Sequence, residues 1–364
     1  MSSPDFNPNK VDLDTADPTQ VICYLQLGQN EYNGSLGARI SALFVILIVS
    51  SAATFFPVLA ARTHYVKIPE YLYLLARYFG AGVIVATAFV QAHQPSLLDP
   101  AYGEIGPNTC VGMTGGWSVY SWPPAIILVS VMSMFLLDFA AERYVEVKYG
   151  IGPAVAERDT ANAAHLTTPG DGHEETQSQL GRKERTVDTI EPEDEKAIMD
   201  RSFRSQIAAF LILEFGVIFH SVIIGLNLGT AGSEFTTLYP VLVFHQSFEG
   251  LGVGARMSAI PFPSRWAWLQ WALCAGYGLT TPIAIAIGLG LRTTYNSGSY
   301  TANVVSGVFD ALSAGILIYT GLVELLARDF LFDPNRTSDN RKLVFMIICT
   351  LLGAGLMALL GKWA

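Results

Sequence analysis

Eight long apolar runs, separated by stretches that hold most of the charge, constrain this sequence more than any other feature. A helix that crosses a bilayer needs about 20 mostly apolar residues. The runs that meet this requirement are 40–61, 71–93, 123–143, 206–230, 236–257, 269–291, 302–327 and 343–361. Charged residues make up only 15% of the chain, against about 25% in soluble domains. The sequence therefore predicts an all-α polytopic membrane protein with eight transmembrane helices, and excludes an ordinary soluble enzyme.

The segments around these runs divide the chain. Residues 1–38 form a polar N-terminal tail without the features of a cleavable signal peptide. Residues 39–143 hold helices 1–3, and residues 206–364 hold helices 4–8. Between them, residues 144–205 are charged and rich in Thr, Gly and Pro, which predicts a largely disordered loop. His165 and His173 in this loop are candidates for metal sensing, although two solvated surface histidines are the simpler interpretation.

The positions of Lys and Arg predict the orientation. Most of them lie in the loops that follow helices 1, 3, 5 and 7, and this bias remains when the long loop is left out. Such loops face the cytoplasm, so both termini face outward. Cys23 and Cys110 then share the outer side, where one disulfide is possible. The net charge of −9 argues against a broad nucleic-acid-binding surface.

Helices 4 and 5 carry polar side chains where a membrane helix should be apolar. His220 and His245 each fall near the middle of their span, and Glu249 follows His245 by four residues on the same helical face. Imidazole and carboxylate groups are common ligands of divalent ions such as Zn²⁺. The pattern predicts a metal site between helices 4 and 5. The alternative is a polar core in which each histidine is hydrogen-bonded to a neighbouring helix.

Three further polar residues lie close to this motif in the sequence. Asn227 follows His220 by seven residues and shares its face, whereas Ser221 and Gln246 each follow a histidine and offer oxygen ligands to a second, weaker position. Helices 4, 5 and 6 are also rich in glycine, and helices 5 and 6 contain internal proline. Transporter sites tend to occur at the midplane beside such interrupted helices, so the surroundings favour movement over a closed structural site.

The stretches HSVIIGLNLG (220–229) and HQSFEGLGVGARM (245–257) resemble the signature pair of the ZIP (Zrt/Irt-like) metal transporters. Further similarity lies in FGAGVIVATAF (79–89), YGLTTPIAIAIG (277–288) and FDALSAGILIYTGLVELLA (309–327). The sequence is most similar to the fungal plasma-membrane zinc-uptake branch. The resemblance implies a ZIP-type bundle of eight helices, termini outside the cell, and import of a divalent metal into the cytosol.

The resemblance also assigns residues. It implies a primary site at His220, His245 and Glu249, and an adjacent site at Ser221 and Gln246 that shares Glu249. Some relatives place a metal-bridging acid four residues after the helix-4 histidine. Since that position is Ile224 here, the sequence predicts one well-formed site.

Four other residues are candidates for the transport path. Relatives often have a histidine after ATAF in helix 2, where this chain has Gln91, with His93 two residues later and near the outer mouth. Asp310 lies in the outer half of helix 7. Glu214 lies about 9 Å to the cytoplasmic side of His220, but about 120° around the helix, so it need not face the same cavity.

These observations predict a zinc importer that works by alternating access, with Zn²⁺ as transported substrate and no catalytic cofactor. The ligand set also suits Fe²⁺, Mn²⁺ and Cd²⁺, because affinity alone does not select the physiological ion. An organelle membrane with the same topology and a homodimer both stay open. The main alternative is an intramembrane zinc hydrolase, since two histidines and a glutamate also match catalytic zinc sites, but the motif HExxH is absent. A metal-sensing receptor is a third possibility.

Overall fold

The structure is a computed structural model that describes nine ranges and two single residues of the chain: 16–27, 32, 34–62, 69–90, 100–149, 192–232, 234–260, 262–293, 296, 298–332 and 337–361. Within these residues the regular structure is entirely helical. The α-helices are α1 (Pro18–Gln26), α2 (Leu36–Arg62), α3 (Glu70–Val90), α4 (Pro100–Ile105), α5 (Trp122–Tyr149), α6 (Pro192–Thr230), α7 (Phe235–Ala259), α8 (Ala267–Leu291), α9 (Tyr300–Tyr319) and α10 (Asn340–Gly361).

Seven helical segments of the described chain are long and apolar enough to cross a membrane. They lie in α2, α3, the first part of α5, the second part of α6, α8 with the turn before it, α9 with its continuation, and α10. The prediction of an all-α polytopic membrane protein is therefore confirmed. The remaining predicted span, 236–257, is also helical as α7, but His245, Gln246, Glu249 and several glycines lower its hydropathy. An eighth transmembrane helix stays a prediction.

Several helices extend beyond their predicted bounds. Helix α5 continues to Tyr149, and α6 begins at Pro192, so the predicted loop 144–205 is helical at both ends. The sequence PEDE at 192–195 explains this start, because proline fits the first helical turn and acidic residues favour the helix N-terminus. The centre of that loop, with His165 and His173, lies outside the described residues.

The N-terminal region contains one described helix, α1, within the predicted tail 1–38. The Asp17 carboxylate accepts a hydrogen bond of 3.0 Å from the backbone N–H of Thr19 and caps this helix. Cys23 of α1 forms a disulfide with Cys110, which realises the bridge that the sequence left open. Cys274 and Cys349 are buried free thiols in the helices, as the sequence indicates.

The long helices pack as two groups of four. Helices α2, α6, α7 and α8 form one group through the contacts of α2 with α7 and α8 and of α6 with α8. Helices α3, α5, α9 and α10 form the other. The groups meet closely where α3 crosses α7, since a Cβ atom at Gly252 would lie 2.9 Å from the Gly80 Cα. This crossing places the middle of α7 against the second group.

The last turns of the seventh predicted span differ from an ordinary helix. After Tyr319, residues Thr320–Phe332 form a π-helix, whose wider turn changes which side chains share a face. The buried acids Glu324 and Asp329 both lie in this segment. The single α-helix predicted over 302–327 is therefore correct as a helical span but not in its internal geometry.

Candidate metal centre

The two intramembrane histidines and Glu249 converge in the structure. The side chains of His220 on α6 and of His245 and Glu249 on α7 are all buried, with residue exposures of 1%, 1% and 0%. The two imidazole rings lie edge to face, with their centroids 5.6 Å apart and their planes at 84°. His245 Nε2 lies 3.7 Å from Glu249 Oε2, as expected for residues four apart on one helix.

Hydroxyl groups of the second helix group hold the two rings by their Nδ1 atoms. Ser313 Oγ on α9 lies 3.3 Å from His220 Nδ1, and Thr87 Oγ1 on α3 lies 3.4 Å from His245 Nδ1. Each ring thereby directs its Nε2 atom away from the hydroxyl. Such outer hydrogen bonds are what fix the tautomer and orientation of metal-binding histidines. Sequence reasoning missed Thr87 and Ser313, because their polarity is ordinary and only the helix packing brings them to the rings.

Glu249 is held in the same way by its own helix group. Tyr277 Oη on α8 donates a hydrogen bond of 3.0 Å to Glu249 Oε2, and Gln246 Nε2 lies 3.4 Å from the same oxygen. The Gln246 Oε1 atom in turn accepts from Thr281 Oγ1 at 3.3 Å. Gln246 thus lies beside Glu249, and its role as an oxygen ligand stays a prediction. Tyr277 is an additional residue, which the sequence indicates only as part of the stretch 277–288.

Four polar atoms of this cluster are buried and have no hydrogen-bond partner: His220 Nε2, His245 Nε2, Glu249 Oε1 and Ser221 Oγ. More than nine in ten buried polar groups in native proteins are paired. Four unpaired atoms in one cluster are therefore an exception, which a bound ligand would explain. Three of the four are imidazole and carboxylate atoms, the types that coordinate Zn²⁺ in proteins, and the fourth is a hydroxyl oxygen.

The cluster is nevertheless not a closed coordination shell. In the part of the chain that the structure describes, no group of three or more His, Cys, Asp and Glu side chains is arranged to hold a metal ion. Two ligand atoms of a tetrahedral zinc ion lie about 3.4 Å apart, from bond lengths of about 2.0–2.1 Å. The 3.7 Å between His245 Nε2 and Glu249 Oε2 is close to this. The role of these residues as ligands stays a prediction.

The structure does not bring every candidate to this cluster. Asn227 is exposed and lies about 10 Å along α6 from His220, so sharing a helix face does not place it at the site. Asp310 is buried on α9, where Ser306 Oγ lies 3.5 Å from its Oδ2 atom. Glu214 is buried on α6. Gln91 and His93 lie outside the described residues.

Comparison with known proteins identifies the family. Residues 36–361 match the family model described as ZIP Zinc transporter. The chain belongs to the ZIP family. It is 55% identical to zinc-regulated transporter 1 of Saccharomyces cerevisiae, over 99% of this chain and 97% of that protein. It is 39% identical to zinc-regulated transporter 1 of Schizosaccharomyces pombe, over 92% of this chain and 88% of that protein.

A more distant relative is also named a zinc transporter. The chain is 32% identical to zinc transporter 9 of Oryza sativa subsp. japonica, over 90% of this chain and 89% of that protein. No solved structure matches. The resemblance stated from the signature residues is confirmed. Membership of the ZIP family, a family of transporters, also confirms that the chain is a transporter and not an intramembrane hydrolase.

Proposed function

We propose that this ZIP-family transporter imports zinc, moving Zn²⁺ from the outer side into the cytosol through a site formed by His220, His245 and Glu249. The observation that carries the proposal is the set of unpaired, buried Nε2 and carboxylate atoms shared by α6 and α7. Relatives that match 90% or more of the chain are named zinc-regulated transporters or zinc transporters. Zinc is the substrate here, with no catalytic cofactor.

The proposed architecture has eight transmembrane helices, with α7 as the fifth. Its 25 residues span about 38 Å at 1.5 Å per residue, more than the roughly 30 Å hydrocarbon core. Polar residues inside a span are tolerated where they face the bundle interior, and His245, Gln246 and Glu249 are all buried. This count gives a ZIP-type bundle with the metal site between the fourth and fifth helices.

The mechanism that this packing supports is alternating access. The metal-facing atoms belong to α6 and α7 of one helix group, whereas the Ser313 and Thr87 hydroxyls that hold the rings belong to the other. A shift of one group against the other would exchange these hydroxyl contacts and turn the site from one side of the membrane to the other. Tyr277 and Gln246 would move with Glu249, because both belong to its own group.

Uptake of radioactive ⁶⁵Zn by cells that express the chain tests this function. We expect saturable uptake above that of cells with an empty vector, because a defined ligand site has a finite occupancy. Competition by unlabelled Fe²⁺, Mn²⁺ and Cd²⁺ ranks the ions, since the ligand set alone does not select among them. Absence of uptake by protein shown to be at the cell surface would contradict the proposal.

The proposed orientation, with both termini outside and the plasma membrane as location, has its own test. The Cys23–Cys110 disulfide belongs on the oxidising side. After mild reduction of intact cells, a membrane-impermeant maleimide should label these two cysteines, and a Cys23→Ser, Cys110→Ser variant should lose that label. Labelling that requires permeabilised cells would place this side in the cytosol or in an organelle lumen. The buried Cys274 and Cys349 should stay unlabelled in intact and in permeabilised cells.

A further inference from the structure

Glu214 is a buried acid that the cluster described above does not use. It lies on α6 with 2% exposure, and both of its carboxylate oxygens are without a hydrogen-bond partner. Carboxylates are almost never fully buried unless they are paired. Protonation would not satisfy the group either, because a neutral carboxyl still presents a donor and acceptors. The folded chain therefore leaves both oxygens of Glu214 without the partner that a bound ligand would supply.

The place of Glu214 on α6 connects it to the metal centre. It precedes Ser221 by seven residues, so the two lie within about 20° of each other around the helix and about 10 Å apart along it. The Ser221 Oγ atom is also buried and unpaired. Although Glu214 is turned away from His220, it shares a helix face with the neighbour of His220. One face of α6 thus carries unpaired oxygen atoms at two positions along the helix axis, Glu214 and Ser221.

The surroundings of Glu214 come from the other helices of the site. Its neighbours on α6, Leu213 and Val217, share one buried core cluster with Met257 of α7 and with Cys274 and Tyr277 of α8. The Cys274 Sγ atom is 3.4 Å from Met257 Sδ, where α8 meets the cytoplasmic half of α7. Glu214 therefore stands between the level of Glu249 and the cytoplasmic end of the same helix group.

We propose that Glu214 forms a second, weaker binding position for the divalent cation on the cytoplasmic side of the site. The inference rests on the proposed import function. A Zn²⁺ ion that leaves two imidazoles and a carboxylate inside the bundle needs another negative group before it reaches water, because an isolated charge in a medium of low dielectric is strongly unfavourable. A single carboxylate, completed by waters of the ion, provides such a group. It also binds weakly enough for release.

The test compares zinc uptake and zinc binding in Glu214→Gln and Glu214→Met. We expect equilibrium binding of Zn²⁺ by the purified full chain, and the KM of uptake, to stay within about twofold of wild type, because His220, His245 and Glu249 are intact. The maximal uptake rate should fall about tenfold. Glu214→Met should also raise the thermal unfolding midpoint by about 2 °C, because it removes an unpaired buried acid. A higher unfolding midpoint together with a lower maximal uptake rate would show that Glu214 serves function at a cost in stability.

Two variants serve as controls. Glu214→Asp keeps the carboxylate and should retain a higher maximal rate than Glu214→Gln. Glu70→Gln makes the same chemical change at an exposed acid that pairs with Lys342, and should leave the rate unchanged. A wild-type maximal uptake rate in Glu214→Gln, with Glu249→Gln inactive, overturns the proposal that Glu214 binds the cation and leaves the proposed function intact. Equal losses in all three Glu214 variants together with lower midpoints would show a structural role and also overturn it. Wild-type uptake in Glu249→Gln would instead contradict the proposed function.

Discussion

Zinc uptake should fall about a hundredfold or more when Glu249 is replaced by Gln or His220 by Ala, since even residues that only support metal ligands cost 10–100-fold. Glu249→Gln removes the charge and keeps the shape. The new amide oxygen still accepts the hydrogen bond that Tyr277 donates to Glu249, so the fold is retained. The lost interaction is the one that the unpaired Oε1 atom would make with the cation.

Initial ⁶⁵Zn uptake, divided by the amount of protein at the cell surface, measures this effect. Glu70→Gln is a matched control, because it changes an exposed acid to its amide at the end of another membrane helix and should transport zinc as wild type does. Asn227→Ala is a second control, at an exposed position on the helix of His220. If Glu249→Gln and His220→Ala both transport zinc at wild-type rates, the assignment of the metal centre is wrong.

The sequence predicts the helices of this protein well and their polar contacts poorly. Hydropathy detects a segment only where it meets lipid, so it finds 206–230 but not the 14 preceding residues of α6, which are helical and hydrophilic. The core pair His245 and Glu249 follows from helical periodicity within one segment. The approach of His220 to this pair depends on packing between two helices, which periodicity does not predict. The resemblance to the family's signature pair is what grouped His220 with His245 and Glu249.

The hydroxyl partners show where sequence reasoning ends. Thr87, Tyr277 and Ser313 lie on three different helices. Thr87 and Ser313 reach the rings through the crossing of the two helix groups, whereas Tyr277 reaches Glu249 through packing within the first group. A serine or threonine in a membrane helix commonly bonds to its own backbone, and Thr87 Oγ1 also donates to the Val83 carbonyl. Nothing in the spacing of such residues separates those that hold a ring from those that do not.

The ion-pair centre around Asp329 is a second feature that spacing does not reveal, because the π-helix changes the direction of this side chain. Asp329 is 8% exposed. Its Oδ2 atom lies 2.8 Å from Arg77 Nη2 on α3, and its Oδ1 atom lies 3.3 Å from Arg256 Nη2 on α7. Arg256 Nη2 also donates to the Glu324 carbonyl at 2.9 Å. One carboxylate thus connects the two helix groups at the end of α7.

Asp329→Asn should therefore lower the thermal unfolding midpoint by about 5 °C, because breaking a buried ion pair costs about 3–5 kcal/mol. The amide cannot balance the charge of Arg77 and Arg256, which are both mostly shielded from solvent. The loss should appear as reduced expression and lower thermal stability of the detergent-purified protein. Since Asp329 lies outside the metal centre, molecules that remain folded should still bind Zn²⁺.

The matched control is again Glu70→Gln, which breaks an exposed pair with Lys342 whose acidic partner is 59% exposed. Surface pairs contribute about 0–1 kcal/mol, so its midpoint should stay close to wild type. Adding Arg77→Gln to Asp329→Asn should restore part of the lost stability, because one cation no longer lacks its partner. A midpoint for Asp329→Asn equal to that of Glu70→Gln would show that this carboxylate does not hold the two groups together. If Arg77→Gln raises the midpoint of Asp329→Asn, the loss of stability in Asp329→Asn comes from the unpaired charge and not from a disturbed π-helix.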